Sequence, residues 1–143
     1  MDTWRAITED DLLTVLSGAE LEAYRAAALA SGQDDPVAAV ISAAVGECRG
    51  RIAAHAANRL ADGETIPAAL LPHVLVLARQ RIFTRLPVRV TDARQREEER
   101  TDAYLRDVAR GLVAIEQPDV PAAVQPAAAM RPSFSPRVRT NGE

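Results

Sequence analysis

Lysine is missing from this chain, and all 17 basic residues are arginine, a bias that by itself carries no functional reading. Cysteine occurs once, at Cys48. An intramolecular disulfide is therefore excluded, and a reducing compartment such as the cytosol fits best. Because Cys48 lies in a helical apolar pattern, a buried inert thiol is expected there rather than a nucleophile. No apolar run approaches the roughly 18 to 20 residues needed to cross a bilayer, and the acidic N-terminus does not read as a signal peptide. Aromatic residues make up only 3% of the chain, while 28 of its 143 residues are alanine. The expectation is a thin core built from close helix contacts.

The motifs of catalysis are missing as well. There is no glycine-rich phosphate loop, no G-x-S-x-G elbow and no dinucleotide fingerprint. His55 and His73 fall on different predicted helices without a cysteine or carboxylate cluster at metal-ligand spacing, so neither a metal nor a cofactor is expected. Glu97-Glu98-Glu99 reads as a charge run on a helix, either a solvated face or an interface, because nothing apolar nearby would raise a carboxylate pKa. The residues give an enzymatic reading no anchor.

What is present is a grammar of helix starts and stops. Thr8 can cap a first helix whose opening acids Glu9, Asp10 and Asp11 suit the positive end of the dipole, with Leu12, Leu13 and Leu16 facing inward. Ser17-Gly18-Ala19-Glu20 reads as a capping box for a second helix, which runs to about Ser31 with Leu21, Tyr24 and Leu29 inside. Asp35-Pro36 opens a third. Its stripe of Val37, Val40, Ile41, Ala44, Val45, Cys48, Ile52, Ala56 and Leu60 predicts one long helix as far as Asp62, roughly 40 Å at about 1.5 Å per residue. Gly46 and Gly50 inside it predict the close approach of another helix. A turn at Asp62-Gly63-Glu64-Thr65 and the prolines 67 and 72 lead into a fourth helix over Val74 to Leu86, with an apolar surface broad enough to make it the most buried. Thr91 or Asp92 caps a fifth, which ends at Arg110 with Gly111 at the left-handed position and Tyr104, Leu105, Val108 and Leu112 as its anchoring stripe.

After Glu116 the grammar changes, since five of the nine prolines fall in the last 27 residues. The expected organisation is a helical domain over residues 1–116 and an extended, Pro-rich arm over 117–143, which fully stretched reaches about 90 Å at roughly 3.3 Å per residue. The fold class is all-α, a small bundle of about five helices with one long central helix.

Charge is unevenly spread. Residues 1–35 carry eight acids against Arg5 and Arg25, whereas the remainder is weakly positive. Such polarity suits head-to-tail self-association, or a polarised partner, better than general nucleic-acid binding. A small helical DNA-binding regulator is the competing reading, because residues 8–31 contain two short helices around a tight corner. The second of those helices offers Glu20, Glu22 and Arg25 within a segment that phosphates would repel. A generic cytosolic adaptor, with a Pro/Arg tail for a peptide-recognition domain, is a third.

The order of elements and several local motifs resemble the Mu-like phage family of head-to-tail connector (head completion, or adaptor) proteins. The residues concerned are Ile7-Thr8-Glu9-Asp10-Asp11-Leu12, Asp35-Pro36-Val37, Glu47-Cys48-Arg49-Gly50-Arg51-Ile52, the Pro67-Ala68-Ala69-Leu70 corner, and Tyr104-Leu105-Arg106-Asp107-Val108-Ala109-Arg110-Gly111. Together they span about residues 7–116. The resemblance implies a virion structural protein made in the host cytoplasm and placed in the neck. There it would form a ring, of twelve copies, on the portal protein and join it to the next neck or tail completion protein around the double-stranded DNA channel. It also implies that the C-terminal arm reaches toward the portal, with Arg131, Pro132, Phe134, Arg137 and Arg139 as the candidate portal-binding residues.

Overall fold

A computed structural model of the chain describes residues 3–30, Gly32 and residues 35–119. It is mostly helical. Five α-helices are present among the described residues: α1 (Glu9–Leu12), α2 (Gly18–Ala30), α3 (Pro36–Ala53), α4 (Leu71–Phe83) and α5 (Asp92–Ala109). A short 3-10 turn (Ala68–Leu70) leads into α4, and two-residue strands β1 (Trp4–Arg5) and β2 (Ile66–Pro67) pair antiparallel, Trp4 opposite Pro67 and Arg5 opposite Ile66. That small ribbon has no counterpart in the hydrophobic periodicity.

The helix starts follow the capping chemistry. At α1 the Thr8 hydroxyl accepts from the Asp11 amide and the Asp11 carboxylate accepts from the Thr8 amide at 2.8 Å, a complete capping box. Ser17 and Glu20 form a second one, with the Ser17 amide donating to Glu20 Oε1 at 2.8 Å and the Glu20 amide to Ser17 Oγ at 3.1 Å. Asp35 accepts from the Val37 amide with Pro36 in the first turn, and Thr91 accepts from the Arg94 amide. At its other end α5 closes in a Schellman motif: Gly111 has φ +78°, its amide donates to the Val108 carbonyl, and the Leu112 amide donates to the Asp107 carbonyl at 2.9 Å.

Helix α4 is the centre of the domain, packed against α3, α5 and α1. Val74, Leu75, Val76, Leu77, Ala78, Ile82 and Phe83 are all buried in it. Around it the core is completed by Leu12, Leu21, Tyr24, Val37, Val45, Ile52, Leu105 and Val108. These are mostly branched and aromatic residues. Among the described alanines only Ala28, Ala44 and Ala78 are buried, so the alanines form the outside of the helices and not a thin interior.

The long central helix is shorter than its stripe predicts. It stops at Ala53 because beyond Ile52 the periodic positions lose their packing: Ala56 is exposed and Leu60 is 38% exposed. Tertiary contacts then take over the backbone. The Asn58 amide group donates to the Ile52 carbonyl at 3.1 Å, and Arg49 reaches across to the carbonyls of Ala61 and Thr65 at 2.8 and 2.7 Å. No helix closes on Gly46 or Gly50, for a methyl group at either would meet nothing within 4 Å. Leu13, Leu29 and Leu112, expected to face inward, are 44%, 68% and 69% exposed. Each lies at a helix end, where the buried face runs out before the apolar pattern does.

Candidate interaction surface

Arg131, Pro132, Phe134, Arg137 and Arg139 lie outside the described residues. What the structure gives is the body to which the segment holding them is joined, and three features on it bear on function: an arginine clamp, a strap after α5, and an open groove.

The clamp lies where α4, α5 and the corner between α1 and α2 meet. Arg79, only 3% exposed in the middle of the most apolar helix, donates to Glu97 Oε1 at 2.7 Å and to the Val15 carbonyl at 3.3 Å. Its Nε is buried without a hydrogen-bond partner. Arg94 sits over the Phe83 ring, 4.9 Å from its centroid, and its two terminal nitrogens hold Glu20 at 3.0 and 3.3 Å. Two charged residues in the first half of α5, Arg94 and Glu97, are therefore engaged by the body of the same chain, although Glu97 keeps a side chain 45% exposed. A buried arginine costs several kcal/mol to desolvate, so it needs paired carboxylates and carbonyls around it.

The same contacts change the meaning of the acidic N-terminal segment. Glu9 pairs with Arg25, Asp11 with Arg5 at 2.6 Å, and Glu20 with Arg94. Hydrogen bonding from these partners holds the Glu9 and Glu20 carboxyls below the usual range, and for Asp11 the largest cause is the Thr8 amide. Glu9 and Asp11 are thus paired inside the segment, by the Arg25 and Arg5 already counted in its charge, while Glu20 is paired by an arginine from α5. The Glu9–Arg25 pair joins α1 to α2, and the Glu20–Arg94 pair fastens α2 to α5.

Beyond Gly111 the chain turns back across the domain. Val113 and Ile115 pack against the core, Pro118 is buried, and the Glu116 carbonyl accepts from the indole N–H of Trp4 at 2.9 Å. Gln117 bridges to the loop that follows α3: its Oε1 accepts from the Arg59 amide at 2.8 Å and its Nε2 donates to Asn58 Oδ1 at 2.9 Å. The Arg59 guanidinium donates to the Pro118 carbonyl at 3.2 Å. Trp4, Asn58, Arg59 and Gln117 do not stand out in the sequence. The period-two alternation of Val113 and Ile115 was the available signal.

Comparison of the chain with protein families, with curated proteins and with solved structures yields no match. The functional reading rests on the residues themselves.

The groove, about 630 Å³, opens between the end of α2, the start of α3 and the last turn of α4, with Tyr24, Pro36, Val40, Arg81, Thr84 and Arg85 among its walls. It is wide and shallow, and no constellation of nucleophile, base and oxyanion donors lines it. Elsewhere, His73 stacks on Tyr104 with ring centroids 4.3 Å apart and shares a 3.0 Å hydrogen bond with Thr101 Oγ1, and burial lowers its pKa. Burial pushes the Cys48 thiol up to about 12, so it stays protonated and unreactive. Among the described residues, no three His, Cys, Asp or Glu side chains gather as metal ligands, and no helix is long and apolar enough to cross a membrane.

Proposed function

We propose that the chain is a head-to-tail adaptor of a phage neck, a structural protein that forms a ring on the portal and carries a C-terminal arm to it. The observation that supports this best is the clasp formed by Trp4, Asn58, Arg59 and Gln117. The chain is tied to a seat on the helical domain as far as Pro118, so the seat sets where the segment beyond Asp119 begins. An arm with a fixed root loses less entropy on docking than one that begins at a frayed helix end, and repetition around a ring turns weak single contacts into avidity.

Two further features favour this reading over a DNA-binding regulator. The second helix of the N-terminal corner turns Ala19, Glu22, Ala23, Ala26 and Ala27 outward, a poor surface for phosphates or base edges. Its one arginine, Arg25, is engaged with Glu9. The portal of the same phage, immobilised, tests the proposal: the full chain should be retained, while a chain ending at Asp119, which keeps the clasp and every described core residue, should wash off. Equal retention of both would overturn the role of the arm, and retention of neither would overturn the adaptor reading.

A further inference from the structure

The strap and its seat are complementary surfaces of one chain, and nothing in their contacts requires them to belong to the same copy. The hydrogen bonds that hold residues 116–118 run to Trp4, Asn58 and Arg59, none of which is on α5. These hydrogen bonds can therefore be given up to another copy without altering α5. The joint at which it would turn is Gly111–Leu112. Gly111 has φ +78°, the His55 ring lies against it, and the joint is held by the two Schellman backbone bonds, 3.0 and 2.9 Å long. The residue at the position of Leu112 in such a helix end commonly packs back onto the last turn. Here Leu112 stays 69% exposed, so that support is missing.

We propose that the seat formed by Trp4, Asn58 and Arg59 takes the strap of a second copy, each chain handing residues 113–118 to its neighbour. Closed and exchanged forms make the same strap contacts. The balance between them is set by the joint and by how concentrated the neighbouring seat is. In a solitary chain its own seat is always nearest. In a ring, where this inference rests on the adaptor reading above, the neighbouring seat is held equally close. Exchange then links each copy to the next in one direction, which is the heterologous contact that a closed ring needs. It also brings Leu112 to the boundary between copies, where it can be covered.

The test uses the full chain at high protein concentration, where a neighbouring seat is close, with cysteines at the touching pair, Asn58→Cys with Gln117→Cys, and a short bismaleimide. The buried Cys48 does not compete. Exchange predicts that the double variant runs on a denaturing gel as a covalent ladder, and that a mixture of the two single variants yields heterodimer in excess over either like pair. A closed, fast-running monomer from the double variant with no heterodimer from the mixture would overturn it. The Arg59→Cys with Gln117→Cys pair repeats the experiment on the neighbouring contact should the first pair disturb the fold, which the emission of Trp4 reports. The mass of the untagged wild-type assembly separates the two readings: a ladder without a ring keeps the exchange and removes the ring, and a ring of closed chains does the reverse.

Discussion

Glu20 and Arg94, 74 residues apart, are joined by two hydrogen bonds of 3.0 and 3.3 Å, and the same Glu20 carboxylate accepts from the Ser17 amide to complete the capping box of α2. One side chain therefore starts a helix and fastens it to another. Replacing Glu20 with Ala should destabilise the domain by about 1–2 kcal/mol, the upper range for loss of a cap, because the ion pair goes with it. Glu20→Gln keeps the capping geometry and should lose less. Urea midpoints at neutral pH check the order.

The acid side of the stability profile follows from the carboxyls of Glu9, Asp11 and Glu20, all held below their ordinary values of 4.5, 3.8 and 4.5. A carboxyl depressed in the folded state contributes stability that is present above its ordinary value and is lost as pH falls through the folded one. His73, lowered from 6.5 by burial, acts in the same direction, since the unfolded chain takes up its proton first. Stability should decline gently as pH drops below 6.5 and more steeply below 4.5. His73→Gln should remove the first phase, and Glu20→Gln should shallow the second, in thermal melts across that range.

Arg79 gives a contrast in sign. Replacing it with Met keeps the packing and frees Glu97, whose side chain is 45% exposed and can be hydrated, so the change should be close to neutral. Glu97→Ala leaves the buried guanidinium short of its ion partner and should cost about 1–3 kcal/mol, at or below the usual range for a broken buried pair because water reaches the site. Chemical denaturation of the two variants side by side decides the point.

The glycines separate into two kinds. Gly46→Ala and Gly50→Ala meet open space on the exposed face of α3 and should each raise stability by about 0.5–1 kcal/mol. Gly111→Ala drives a methyl group against the His55 ring at φ +78° and should lower it by about 1–2 kcal/mol or more. Melting temperatures of the three variants test this directly.

Much of this architecture is legible in the sequence, for an identifiable reason. Thr8, Ser17, Asp35 and Thr91 start helices by local hydrogen bonds that a few neighbouring residues specify, and Gly111 ends one through a backbone angle that few other residues tolerate. The early stop of α3 is of another kind. Ala53, Ala54, Ala56 and Ala57 are good helix formers, yet the helix gives way there because the periodic positions beyond Ile52 find no packing, while Asn58 takes the Ile52 carbonyl and Arg49 holds the distant carbonyls of Ala61 and Thr65. Trp4 on Ile66–Pro67, Arg79 under Val15, and Gln117 on Asn58 are likewise pairings between distant segments, invisible to periodicity. The candidate site divides in the same way. Its Arg- and Pro-rich end is read from composition, while the clasp at its root emerges only from the fold.

The most direct measurement of the adaptor reading is electron microscopy of the full chain mixed with the portal of the same phage. The account predicts an added ring of density, coaxial with the portal and continuous around its channel, that is absent when the chain ends at Asp119. Portal particles left bare by the full chain, or a chain that instead shifts duplex DNA at physiological salt with no portal present, would contradict it.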